Sequence, residues 1–226
     1  MRLRAEYRVG RDLKFLGNLD MMNLMSRAMR RAGIPFALSE GFNPHIKLSM
    51  GTVLPVGVWG ENEYFDLELK QDMEPHEFMA RMNRVLPHGM EIRQCVKMDD
   101  KEPALMRIIN AASYTFILKN IDHDYSDLPD KIMIQNQLLV KSRGKQKGID
   151  KDLRPGIFKI AVNYQQESVM ISIWVNVGEP VNVRYDELLD LLKDQGIEHE
   201  EVADIYRSGN FIRAGNLFYS PFEKVS

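Results

Sequence analysis

In residues 63–69, Glu-Tyr-Phe-Asp-Leu-Glu-Leu, apolar and polar residues alternate from Phe65 onward. That period puts successive side chains on opposite faces, so the segment predicts a half-buried strand. Residues 2–9 repeat the pattern, with Leu3, Ala5, Tyr7 and Val9 set against Arg2, Arg4, Glu6 and Arg8. Between the two, Leu19, Met22, Met25 and Met29 recur at helical spacing, and Met21, Leu24 and Ala28 widen that face. Asn18 is a candidate N-cap, and Gly33 followed by Pro35 ends the helix. Strands with one wet face on either side of an amphipathic helix call for a sheet with that helix laid against it.

The pattern continues. Lys47 to Val58 is rich in Val, Leu and Gly and leads through Gly57–Asn62 into the strand at 63–69. Glu74-Pro75-His76-Glu77 opens a second helix with proline in its first turn and acids at its positive end. Phe78, Met82 and Val85 give that helix its apolar face, and residues 90–96 close as a strand. The order βαββαβ is that of a ferredoxin-like α+β domain, an antiparallel sheet with both helices on one face. Glu61, Glu63, Asp66 and Glu68 are read as the solvent side of a strand rather than as catalytic carboxylates.

Asp99 to Pro103 is a polar break, which predicts a boundary between domains 1–100 and 101–226. The second half reads as a strand at 112–118, a short helix at 128–136 and a strand at 137–143. A hairpin of 157–162 with 169–175, a helix at 185–193 and an extended segment at 201–211 follow. That is a second, less regular βαββαβ, so the expectation is two ferredoxin-like halves in tandem. Phe211, Leu217, Phe218, Tyr219 and Phe222 predict a C-terminal tail that docks.

The 226 residues carry a net charge of only −2, but the charge is unevenly spread. Residues 1–60 hold nine Lys/Arg against four acids, and residues 61–100 hold ten acids against five bases. Lys141, Arg143, Lys145, Lys147, Lys151, Arg154 and Lys159 make a second basic block. Two basic blocks on a near-neutral chain predict a local anionic partner rather than general stickiness. Cys95 is the single cysteine, so a disulfide within the chain and a cysteine-ligated iron–sulfur cluster are both excluded. No stretch approaches the roughly 20 apolar residues of a membrane span, and the N-terminus lacks a signal-peptide core; the expected setting is the cytoplasm. There is no phosphate-binding glycine loop, dinucleotide fingerprint or His-Glu-x-x-His motif, and no cofactor is expected.

The chemistry-bearing run is Ser39-Glu40-Gly41-Phe42-Asn43-Pro44-His45-Ile46-Lys47. Asn43-Pro44 marks a turn, and Gly41 allows backbone angles closed to other residues. The turn would hold Phe42, His45 and Lys47 near one another. Phe42 can stack on an unpaired base, and Asn43 and His45 can hydrogen-bond it. Arg27, Arg30 and Arg31 crowd the last turn of the preceding helix, where they complement the helix dipole or grip phosphate. Lys141, Arg143, Lys145, Lys147 and Arg154 would form the second wall of a groove, or a solvated loop. His45 is also the one candidate catalytic group: with Lys47 and Arg31 it could deprotonate a ribose 2′-hydroxyl and stabilise the pentavalent phosphate.

Phe15-Leu16-Gly17-Asn18-Leu19-Asp20, Arg27 to Pro35, Ser39 to His45 and Asp150-Lys151-Asp152-Leu153-Arg154-Pro155 together resemble a bacterial family linked to radical SAM enzymes. Its members are fused to such an enzyme or encoded beside it, and they often carry Ser-His where this chain has Gly17-Asn18. The resemblance implies a radical SAM partner and a role around RNA. The predicted fold also looks like the tandem ferredoxin-like proteins that process CRISPR RNA. The reading favoured by the sequence is an accessory protein that binds tRNA or rRNA for a radical SAM enzyme. Its rivals are a metal-independent ribonuclease using His45 and a protein-interaction subunit without RNA contact.

Overall fold

The computed structural model describes residues 1–99, 101–119, 123–144 and 147–223. By their internal contacts they divide into two compact units: 1–109 with the segment from Gly209 onward, and 110–208. The first unit runs β1 (Arg2–Val9), α1 (Asn18–Arg31), β2 (Leu48–Met50), β3 (Trp59–Glu68), α2 (Pro75–Asn83), β4 (Met90–Met98) and α3 (Leu105–Ile108). The second runs β5 (Ala111–Leu118), α4 (Leu128–Met133), β6 (Leu139–Lys141), β7 (Asp150–Asp152), β8 (Ile157–Tyr164), β9 (Val169–Asn176) and α5 (Tyr185–Asp194). Strand β10 (Val202–Ala214) begins in the second unit and ends in the first, where β11 (Leu217–Tyr219) folds back on it. The fold is α+β, with one large multi-stranded sheet and helices. None of the described helices is long and apolar enough to cross a membrane.

In the first unit β1 lies antiparallel between β3 and β4, with Ala5 opposite both Phe65 and Cys95, and β2 pairs the far edge of β3. The alternation sets the core: Leu3, Ala5, Tyr7 and Val9 turn to one side with Phe65 and Leu67. There they meet Met21, Met25, Ala28 and Met29 of α1 and Phe78 and Met82 of α2. Tyr7, Phe65 and Phe78 form a chain of tilted rings with centroids 5.6 and 6.3 Å apart. Helix α1 starts as expected but is capped differently: the carboxylate of Asp20 accepts the Gly17 N–H at 3.3 Å, and Asn18 is already helical. It ends at Gly33, whose φ of +62° suits glycine. Only Leu48–Met50 of the 47–58 segment becomes strand; Gly51, Pro55 and Gly57 break the rest into loop.

The other side of this sheet overturns an expectation. Arg4, Glu63 and Asp66 were assigned to a wet face, yet all three are buried. Residues 103–109 and the C-terminal segment cover Arg4 and Asp66, whereas Glu63, opposite Tyr7 and in step with Phe65, lies on the helix side and accepts from the Asn210 amide at 3.4 Å. Leu105 and Ile109 cluster with Tyr64, and Phe222 meets the Tyr64 ring edge-on at 5.5 Å. The tail therefore docks, and it packs with the first unit rather than with the second half of the sequence. Tyr64 donates its hydroxyl to Glu6 at 2.6 Å, and burial, then that carboxylate, drives its phenol well above the usual range.

In the second unit β5 pairs β9, β9 pairs β8, and β10 runs beside β5. Tyr114, Phe116, Leu118, Ile171, Ile173 and Val175 are buried, as are Leu188, Leu191 and Leu192 of α5. The expected strand at 137–143 shortens to β6, which pairs only with β7 as a separate two-stranded ribbon. The expected helix at 128–136 closes at Met133.

Candidate nucleic-acid interface

The Gly-Phe-Asn-Pro-His run is the tip of a hairpin. Its legs are tied by a bridge between Leu38 and Ile46 and by hydrogen bonds from Ser39 N to His45 O (2.8 Å) and Lys47 N to Ala37 O (2.9 Å), and a bridge from Phe36 to Leu69 joins the first leg to the end of β3. Ile46 and Leu48 are buried and root it in the core. Residues 40–45 project into solvent, and Phe42 is fully exposed at their centre. Gly41 has a φ of +114°, which lets the tip turn where a side chain would be strained. The Ser39 hydroxyl braces the loop twice: it accepts the His45 backbone N–H at 3.1 Å and lies 3.0 Å from Nδ1 of the ring. The imidazole is thereby oriented, with Nε2 outward and without a partner among the described residues.

Beside the hairpin base lies the end of α1. Because Met21, Met25, Ala28 and Met29 face the core, Asp20, Asn23, Arg27, Arg30 and Arg31 face out. With Leu16, Leu24 and Pro87 they line a groove of about 700 Å³. The Arg30 guanidinium stands 5.9 Å over the Phe36 ring, which links the helix end to the foot of the hairpin. Arg31 donates to the Val85 carbonyl at 3.0 Å. Arg27 has no partner among the described residues. Lys47 is committed: its ammonium is 2.8 Å from Glu68, whose hydrogen bond and charge push the Lys47 pKa upward.

The second basic block fares differently. Arg154 points inward and donates to the carbonyls of Gln135, Met133 and Ile157, at 3.1, 3.1 and 3.2 Å, holding the end of α4. Arg143 forms a two-pronged pair with Asp190, both contacts 2.8 Å. Lys141 pairs with Asp150 at 2.6 Å. Lys147 is exposed with no partner among the described residues, and Lys145 lies outside them. The Asp150–Pro155 motif is thus a clasp. Lys151 reaches the fully buried Glu187 at 2.6 Å, and Asp152 accepts the Leu138 and Arg154 backbone N–H groups at 2.8 and 2.9 Å.

Two outward residues escaped the sequence reading: Phe15 and Leu19, both strongly exposed next to Leu16 of the groove. Leu19 had been assigned to the apolar face. The signal was available in its phase, since it falls out of step with 21, 25, 28 and 29. Among the described residues no cluster of three or more His, Cys, Asp or Glu side chains could hold a metal ion.

Similarity to known proteins adds two findings. No curated protein matches the chain. A chain in the solved structure described as "Crystal Structure of a Cbf5-Nop10-Gar1 Complex" has a similar fold, with a TM-score of 0.50 at 10% identity. The match covers 92% of this chain and 48% of the other, so this chain spans about half the length of the one it resembles. Residues 2–185 match the family model described as "Uncharacterized protein conserved in bacteria (DUF2344)". The hairpin motif and the Asp150–Pro155 clasp both lie within that match, and the chain belongs to this bacterial family, which is associated with radical SAM enzymes.

Proposed function

We propose that this protein is an accessory RNA-binding protein that works with a radical SAM enzyme in the modification or processing of tRNA or rRNA. The observation that carries the reading is Phe42, a fully exposed phenyl ring on a braced hairpin beside a helix end bearing three arginines. A large apolar side chain left wholly in water gives up roughly 1.5–3 kcal/mol of burial, which a stacked base would restore. Arg27 and the outward edges of Arg30 and Arg31 supply phosphate contacts, while Asn43 and Nε2 of His45 supply hydrogen bonds to the base. Of the five cations expected to form the groove's second wall, Lys147 is the described one that no ion pair or carbonyl holds, which leaves it available to phosphate. The proposed setting is the cytoplasm, where the lone buried Cys95 stays reduced.

The finer reading of the fold, two ferredoxin-like halves in tandem, is supported by strand order. The order is β4-β1-β3-β2 around the first unit and β10-β5-β9-β8 around the second. A reading as a protein-interaction subunit is favoured by one observation, the exposure of Phe15 and Leu19 beside the arginine groove. Titrating labelled tRNA and rRNA fragments over a salt series decides between them. The RNA reading expects affinity that falls steeply with salt; weak, salt-insensitive binding would overturn it in favour of the protein partner. If cleavage of the RNA appears and disappears with His45→Ala, the protein is instead a ribonuclease.

A further inference from the structure

The sheet of the second unit has a face that the hairpin site does not use. Tyr114, Phe116, Ile171, Ile173 and Val175 fill the apolar side. The alternate residues of the same strands form three cross-strand rows on the other side. They are Ser113–Trp174–Lys159, Thr115–Ser172–Ala161 and Ile117–Met170–Asn163. The composition of this face is unlike a core. The three rows hold no carboxylate, their hydroxyls are paired among themselves and with Ser208 of β10 (Thr115 to Ser172 and Ser113 to Ser208, both 2.8 Å), and Lys159 and Asn163 are exposed. Trp174 lies half-buried on the middle strand, β9, its indole N–H has no partner among the described residues, and the Lys159 ammonium rests 4.7 Å from its ring centroid.

From this arrangement we infer that the β8–β9 face of the second unit is a stacking site for an unpaired nucleobase, with Trp174 as the platform and Lys159 as its phosphate contact. The inference rests on the RNA reading above and deepens it by naming single-stranded RNA as the ligand. In an A-form duplex the base faces are hidden, so only a splayed-out base can lie on an indole. A lysine on an exposed ring is held weakly, and its flexible stem lets the ammonium move a few ångströms onto the phosphate as the base takes its place. Asn163, two rows along the same face and about 13 Å from Lys159, offers both a donor and an acceptor to the edge of a neighbouring base. The three rows themselves carry no acid to repel the backbone.

The chain has two tryptophans, so Trp59→Phe leaves Trp174 as the sole indole reporter. The test titrates the full-length Trp59→Phe protein with a fluorescein-labelled single-stranded 12-mer oligouridine and with a duplex RNA of the same length. Anisotropy reports binding, and a parallel titration with unlabelled RNA reports Trp174 emission. The expected result is saturable quenching by the single strand with the anisotropy midpoint, little quenching by the duplex, and a loss of single-strand affinity of tenfold or so in Trp174→Leu. Lys159→Ala should weaken binding severalfold and flatten its salt dependence. Should anisotropy rise while Trp174 emission stays constant, RNA is held elsewhere; this inference falls and the hairpin reading stands. Should neither signal change with either RNA, both fall.

Discussion

Arg4 and Asp66 stand directly opposite each other on β1 and β3, with Nε 2.8 Å from one carboxylate oxygen and Nη2 3.0 Å from the other, and almost no solvent reaches either. Two further guanidinium protons are used: Nη1 donates to Pro221 O at 2.9 Å and Nη2 to Pro103 O at 3.0 Å. One side chain therefore ties two strands, the 103–109 segment and the C-terminal segment into one unit.

Removing one partner of such a pair strands a buried charge. Arg4→Ala should lower stability by about 3–5 kcal/mol in urea unfolding, and Asp66→Ala by a similar amount. The double substitution Arg4→Met with Asp66→Leu leaves no orphan charge and should lose much less than either single change. If the double variant is as unstable as the singles, the carbonyl contacts rather than the ion pair hold the unit together.

Burial pushes the Cys95 thiol up to about 12. At pH 8 only about one molecule in ten thousand would carry the reactive thiolate, so dithiobis(nitrobenzoate) should label the native protein very slowly and the urea-unfolded chain promptly. The sign of the pH effect follows. Below about pH 9 the thiol is protonated in both states and its contribution is constant. Above that the unfolded chain loses its proton first, so wild-type stability should decline relative to Cys95→Ala between about pH 9 and 12. A flat difference across that window would show the thiol to be solvated.

Phe42 touches nothing that holds the fold, so Phe42→Ala should leave the melting temperature unchanged while weakening RNA binding by about 1–3 kcal/mol. Arg27→Ala should weaken binding to all RNA sequences alike and reduce the magnitude of the salt slope by about one. Filter binding at several salt concentrations reads both. A Phe42→Ala protein that binds RNA as well as wild type would remove the hairpin from the interface.

Arg154 and Lys147 are seven residues apart in one basic block and should behave in opposite ways. Arg154→Ala strips donors from three carbonyls and should destabilise the protein by about 1–3 kcal/mol in thermal unfolding, with Arg154→Lys recovering only part. Lys147→Ala should be neutral for stability and register only in RNA affinity. Reversed outcomes would mean that the inward geometry of Arg154 does not persist in solution.

Much of the fold was legible because it rested on local period. The alternation at 2–9 and 63–69 fixed which side chains meet α1, and the glycine at 33 marked where that helix stops. What could not be read was long-range cover. Nothing near Asp66 announces that residues from the far end of the chain will lie over it, so a charged alternation looked wet. The candidate site was legible in the same uneven way. Phe42 could be seen as an exposed aromatic because Gly41 and Asn43-Pro44 flank it. The fates of Arg143 and Arg154 depended on Asp190 and on carbonyls at the end of α4, partners that spacing does not reveal. Trp174 and Lys159 were visible as strand residues, but their stacking needed the β8–β9 register.

The last carbonyl that Arg4 binds belongs to Pro221, while the second unit uses only residues 110–208. During synthesis the two cannot finish in the order in which they are encoded. The second unit has all its strands as soon as β10 emerges, whereas the first must wait with an unsatisfied arginine on its sheet until the polypeptide has been extended through residue 221. Nascent chains arrested before that point should expose β1 and β3 to chaperones, and a ribosome-stalling series stepped across residues 209–223 would locate the moment at which the amino-terminal half closes.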